Sequence, residues 1–149
     1  MSKIITEKVV AYITQGDKLL VFSHPFHPEA GIQVPAGTIE AGEAPEEAVL
    51  REAYEETGLE KLNLRAFLGM QEFDLSSYGR AEIQRRYFFQ VEFYGESPAV
   101  WRHFENNRSD GSTEPIEFEL FWVQFPDEVP ELHGAQGILL SSIKIRDKT

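Results

Sequence analysis

Residues 37–59 read GTIEAGEAPEEAVLREAYEETGL, and the rest of the chain is best read outward from them. The spacing predicts a helix over Pro45–Thr57. Pro45 suits the first helical position, Glu46 and Glu47 complement the positive end of the helix dipole, and Gly58 is a natural stop. Ala44 is a poor N-cap because it has no side-chain acceptor. Ala48, Val49, Ala53 and Tyr54 form the expected apolar stripe. Glu52, Glu55 and Glu56 fall at i, i+3 and i+4 and so share one face. Packed carboxylates raise one another's pKa unless positive charge sits among them. For an arbitrary acidic helix, a solvated face is the ordinary reading. Here Arg51 is a single cation in a strongly acidic stretch, with Glu47 at i−4 already available as its partner. A divalent ion could neutralise the cluster, and hard carboxylate oxygens favour Mg²⁺ or Mn²⁺.

Around this segment the chain reads as mixed α+β. Val9 to Thr14 and Leu19 to Phe22 are β-rich runs joined by a Gly-containing turn, which predicts a hairpin. A loop carrying Pro25, Pro28 and Gly31 leads to a short run, Ile32 to Val34. Leu62 to Asp74 and Ile83 to Phe93 are expected strands, with Tyr78-Gly79-Arg80 near the turn between them. Residues 95–115 are polar and longer than an ordinary loop, as a lid, a specificity loop or a disordered segment would be. Ile116 to Phe125 is a further strand, and Glu131 to Ser142 a short helix interrupted by Gly134 and Gly137. No repeat or linker divides the chain, so residues 1–149 are expected to form one domain.

Composition narrows the function classes. The chain carries 14 Lys and Arg against 25 Asp and Glu, a net charge of −11 over 149 residues, and no Cys. Disulfides, thiolate nucleophiles and cysteine-rich metal sites are therefore excluded. The charge argues against a nucleic-acid partner, which needs a basic footprint. No apolar run reaches the ~18 residues of a membrane span, and no signal peptide is legible at MSKIITEKVV, so the expected location is cytoplasmic and away from membranes.

The quoted segment resembles the Nudix box, G-x5-E-x7-R-E-U-x-E-E-x-G-U, where U is bulky and apolar. Gly37, Glu43, Arg51, Glu52, Glu55, Glu56, Gly58 and Leu59 carry the match. Ala53, small rather than bulky, is a soft departure that bears on packing and leaves the carboxylates intact. Chance agreement at these positions is on the order of 10⁻⁶. The resemblance implies an α/β/α sandwich around a mixed sheet. It also implies divalent-metal-dependent hydrolysis of the pyrophosphate bond of a nucleoside diphosphate linked to another moiety, such as a nucleoside triphosphate or a nucleotide sugar. A catalytically silent module that binds a nucleotide is the alternative. By similarity, Glu52 and Glu56 are metal ligands, Glu55 a ligand or an orienter of water at the metal, and the Gly37 carbonyl completes the site. Arg51 pairs with Glu43 and pre-aims the ligands, and Gly58 ends the helix.

The motif does not fix the general base. Glu52 or Glu55 could serve from the helix, and Glu117, Glu119 or Glu92 from a strand. Arg85 and Arg86 are candidates for phosphates not held by metal, Tyr78 for stacking, and His103 for a specificity contact. The expected partner is a small phosphorylated nucleotide, with a homodimer open. Markers of the ADP-ribose, coenzyme A and dinucleoside-polyphosphate subclasses are not found, so the segment leaves the substrate open.

Overall fold

The computed structural model describes residues 2–105 and 116–145. Among the described residues seven strands form one sheet: β1 (Ile4–Gln15), β2 (Lys18–Ser23), β3 (Ala36–Thr38), β4 (Leu62–Asp74), β5 (Glu82–Phe93), β6 (Val100–Glu105) and β7 (Ile116–Gln124), with one α-helix, α1 (Pro45–Thr57). The order across the sheet is β4-β5-β1-β2-β7-β6, with β3 paired to β1. The sheet is mixed because β1 and β5 run parallel while the other pairs are antiparallel.

Alternation along the strands builds two cores. Val9, Ala11, Ile13, Leu20, Phe22, Phe89, Val91, Phe118 and Leu120 face α1 and pack on Ala48, Val49 and Ala53. Val10, Tyr12, Leu19, Val21 and Phe88 face the other way, onto Leu132 and Ile143 of the C-terminal segment. Ala53 is fully buried, so its small side chain brings helix and sheet close together. Tyr54, expected in the apolar stripe, is half exposed instead.

Three other expectations change. The C-terminal layer is not an α-helix: it carries two 3₁₀ turns, His133–Ala135 and Leu140–Ser142, and Gly134 sits at φ 63°. Side chains hold this segment in place. Gln136 Oε1 accepts the Val34 N–H at 2.8 Å, and Gln90 exchanges hydrogen bonds with both backbone groups of Lys144 at 2.8 and 3.0 Å. The short run after the Pro-containing loop makes isolated bridges at Ile32 and Gln33, and the strand itself falls at Ala36–Thr38. Within the long polar connection, Val100–Glu105 is a strand on β7, whereas residues 106–115 lie outside the described residues.

The gap between β1 and β2 places the functional segment. These strands pair only at Thr14↔Leu19 and Gln15↔Lys18, next to their turn. Beyond that they diverge, and the stretch from Gln33 to Thr38 fills the opening, with Gln33 on Phe22 and Ala36–Thr38 on Val10–Lys8. The chain then leaves the sheet at Gly37–Thr38 and enters α1.

Candidate active site

Helix α1 starts without a side-chain cap, yet its first turn is satisfied. Pro45 has no N–H, and Glu47 Oε1 reaches back to the Ala44 N–H at 2.9 Å. Glu47 is thus engaged at the helix start and is not the partner of Arg51 that its spacing suggested. At the other end Gly58 adopts φ 76° and donates its N–H to Tyr54 O at 2.8 Å. Two strand side chains donate to carbonyls of the last turn: Trp101 Nε1 to Thr57 O at 3.0 Å, and His103 Nε2 to Glu55 O at 2.7 Å.

Arg51 organises the carboxylates. Its Nε and Nη2 bind the two oxygens of Glu43 at 2.7 and 2.9 Å, and Nη2 also reaches Thr38 O at 3.0 Å. Its Nη1 meets Glu52 Oε1 at 2.8 Å and Glu55 Oε2 at 3.2 Å. One guanidinium therefore ties the loop to the helix and turns two helix carboxylates toward each other. Those hydrogen bonds hold the Glu43 carboxyl down at about 2.

Glu52 and Glu56 are buried, at 7% and 4% exposure. Glu56 Oε1 accepts the Ala36 N–H at 3.0 Å. Burial foremost, then the negative charges of Glu105 and Glu52, hold its carboxyl well above the usual range. Burial likewise raises Glu52, against the pull of Arg51. A Cβ at position 37 would lie 2.0 Å from the Glu52 carboxyl carbon, so any other residue there would push that carboxylate out of place.

A residue outside the box joins this group. Ligand oxygens of Glu52, Glu55 and Glu105 all lie within 4.8 Å of one another. Glu105 ends β6, where Trp101, His103 and Glu105 alternate toward α1. Sequence reasoning misses it because it sits in a stretch that reads as a polar loop; the alternation Trp101-His103-Glu105 is the available signal. Such a set of hard, half-buried carboxylate oxygens fits a divalent cation.

The other expected residues are spread over the molecule. Glu117 and Glu119 project from the opposite face of β7 to Phe118 and Leu120, and both meet Arg102, at 2.9 and 3.6 Å. The structure does not bring them to the cluster, and Glu92 pairs with Arg65 at 3.0 Å. Arg85 lies across from Glu72 at 3.3 Å, whereas Arg86 points to the opposite face. There Arg86 and Tyr78 line a cavity of about 370 Å³ whose rim includes Ala36 and Gly37. His103 serves the helix end and does not line that cavity.

Comparison with known proteins identifies the family. A stretch of the chain is 39% identical over 59 residues to the NAD-capped RNA hydrolase NudC of Photobacterium profundum, covering 40% of this chain and 22% of that relative. The chain thus spans less than a quarter of the length of that curated relative. Its fold is similar to that of a MutT NUDIX hydrolase from Burkholderia pseudomallei, with a TM-score of 0.63, 25% identity and coverage of 94% and 98% of the two chains. A UDP-X diphosphatase is similar in fold at the same TM-score, 0.63, with 20% identity and coverage of 95% of this chain and 63% of that one. The family model for the NUDIX domain matches residues 5–136, nearly the whole described fold, and the chain belongs to the Nudix family.

Proposed function

We propose that the protein is a Mg²⁺- or Mn²⁺-dependent pyrophosphohydrolase acting on a small nucleoside diphosphate derivative, a nucleoside triphosphate or a nucleotide sugar. The carrying observation is the convergence of Glu52, Glu55 and Glu105 beside buried Glu56 at the Gly37 turn. Glu52, Glu56 and Glu105, with the Gly37 carbonyl, are the groups that would hold the cation. When bound, the ion would offset the charge of the carboxylates, polarise phosphate oxygens and lower the pKa of water. Arg51 keeps Glu52 and Glu55 in place through contacts that need no metal. Glu55 and Glu105, both half-buried, are the candidates to take the proton of the attacking water. Water then bonds to one phosphorus, the bridging P–O bond breaks, and the departing phosphate leaves with the electron pair.

A panel of nucleoside triphosphates and nucleotide sugars, assayed with each metal, tests this reading. One member is expected to release phosphate, pyrophosphate or a nucleoside monophosphate. Glu56→Gln is expected to abolish that release while the melting curve stays cooperative. Glu55→Gln and Glu105→Gln, each also titrated with Mn²⁺, separate the two candidates: the base is the one whose loss collapses kcat and removes the acid limb of the pH–rate profile while the metal still binds. No turnover of any member with either ion, together with tight nucleotide binding, would favour the silent-module alternative.

A further inference from the structure

On the sheet face opposite α1, Lys8 of β1 and Arg86 of β5 stand directly across from each other in the parallel register. Like charges facing across a strand pair repel and are destabilising. Neither cation has an acidic partner at ion-pair distance among the described residues. Lys8 Nζ donates to the Thr38 hydroxyl at 2.7 Å. Arg86 donates Nε and Nη2 to Gln84 Oε1 at 3.0 and 2.8 Å, donates Nη1 to Gly134 O, and lies over the Phe73 ring at 4.3 Å. Glu82, whose charge acts on Lys8, is paired with Arg80. Burial pulls both cations below their ordinary pKa; for Lys8 the charges of Glu82 and Glu52 oppose that pull, and Arg86 adds to it.

Half-burying two like charges side by side, with hydrogen bonds only to neutral groups, carries a cost that an anion between them would offset. Two of the three Lys8 donors and two of the five Arg86 donors are left over after these contacts. Both residues line the cavity of about 370 Å³ that opens at Gly37. Gly37 has the Glu52 carboxylate on its other side.

We infer that Lys8 and Arg86 form a metal-independent anion site that takes a phosphate group of the substrate on the sheet face away from α1. This deepens the proposed function and rests on it for the identity of the ligand. Such a site would let an acidic chain hold an anionic group before any cation is bound. Lys8 is thereby a binding residue for the substrate.

Calorimetric titration of the full chain with inorganic pyrophosphate, in EDTA and at low salt, tests the site without using the carboxylates. Wild type is expected to bind, with affinity falling as salt rises. Lys8→Met keeps the alkyl stem and is expected to weaken binding at least tenfold without lowering the melting temperature, since it relieves the repulsion. Lys8→Arg is expected to restore it, and Arg86→Gln to weaken it similarly where the variant folds. Absence of pyrophosphate binding by wild type, or equal binding by Lys8→Met, would overturn the inference. Binding that depends on Lys8 in a protein inactive on every substrate with either metal would leave this site standing and remove the hydrolase reading instead.

Discussion

Arg51 and Glu43 show how one ion pair aims a site. The Glu43 carboxyl is held at about 2, below its ordinary value near 4.5, by the two hydrogen bonds from Arg51. A depressed folded-state pKa contributes stability above the ordinary value, and that contribution is lost as pH falls from about 4.5 through about 2. Glu43→Gln is therefore expected to lower stability at pH 7 by about 1–2 kcal/mol. The gap between variant and wild type is expected to narrow below pH 3, as thermal melts across that range would register. Glu56 runs in the opposite sense. Its carboxyl sits above the usual range, so a cation bound there would displace a proton, and its binding would tighten as pH rises. Titrations with Mg²⁺ at pH 6 and pH 8 are expected to show the stronger binding at pH 8.

At the scale of elements, both ends of α1 were legible because local chemistry sets them: Pro45 has no N–H to lose, and Gly58 needs a positive φ. Gly58→Ala is expected to cost about 1–2 kcal/mol, a fall in Tm of about 3–6 °C, from the φ penalty alone. The added methyl would also stand 3.2 Å from the His103 ring, so the loss is expected to shrink in a His103→Ala background. Strand β6 was not legible. Val100–Glu105 alternates, but its stability comes from pairing with β7, and that register depends on residues outside the segment. Glu105 escaped for the same reason, and Glu117 was a candidate on the wrong face because sequence fixes alternation without saying which side faces the helix. The C-terminal segment misled differently: its apolar residues suit a helix, but Gly134 at φ 63° breaks it, and Leu132, Leu139 and Leu140 pack from 3₁₀ turns instead.

For the molecule as a whole, the layer opposite α1 depends on a few buried amides more than on regular structure. Gln136 is 8% exposed, and its side chain takes the Val34 N–H just before the segment that carries Gly37. Gln136→Ala would leave that buried donor without an acceptor, at an expected cost of about 1–3 kcal/mol. Because the C-terminal segment also walls the cavity shared by Lys8 and Arg86, the same variant is expected to weaken pyrophosphate binding. Chemical denaturation paired with the calorimetric titration measures both effects.

The parallel pairing of β1 with β5 has a kinetic corollary. Lys8 and Arg86 are neighbours in space but about 78 residues apart along the chain, and closing so wide a loop is slow because its entropy is lost before contacts compensate. During synthesis the central strand must wait for its partner to emerge, so the turn linking β1 and β2 can form first while the cavity arrives only with the last third of the polypeptide.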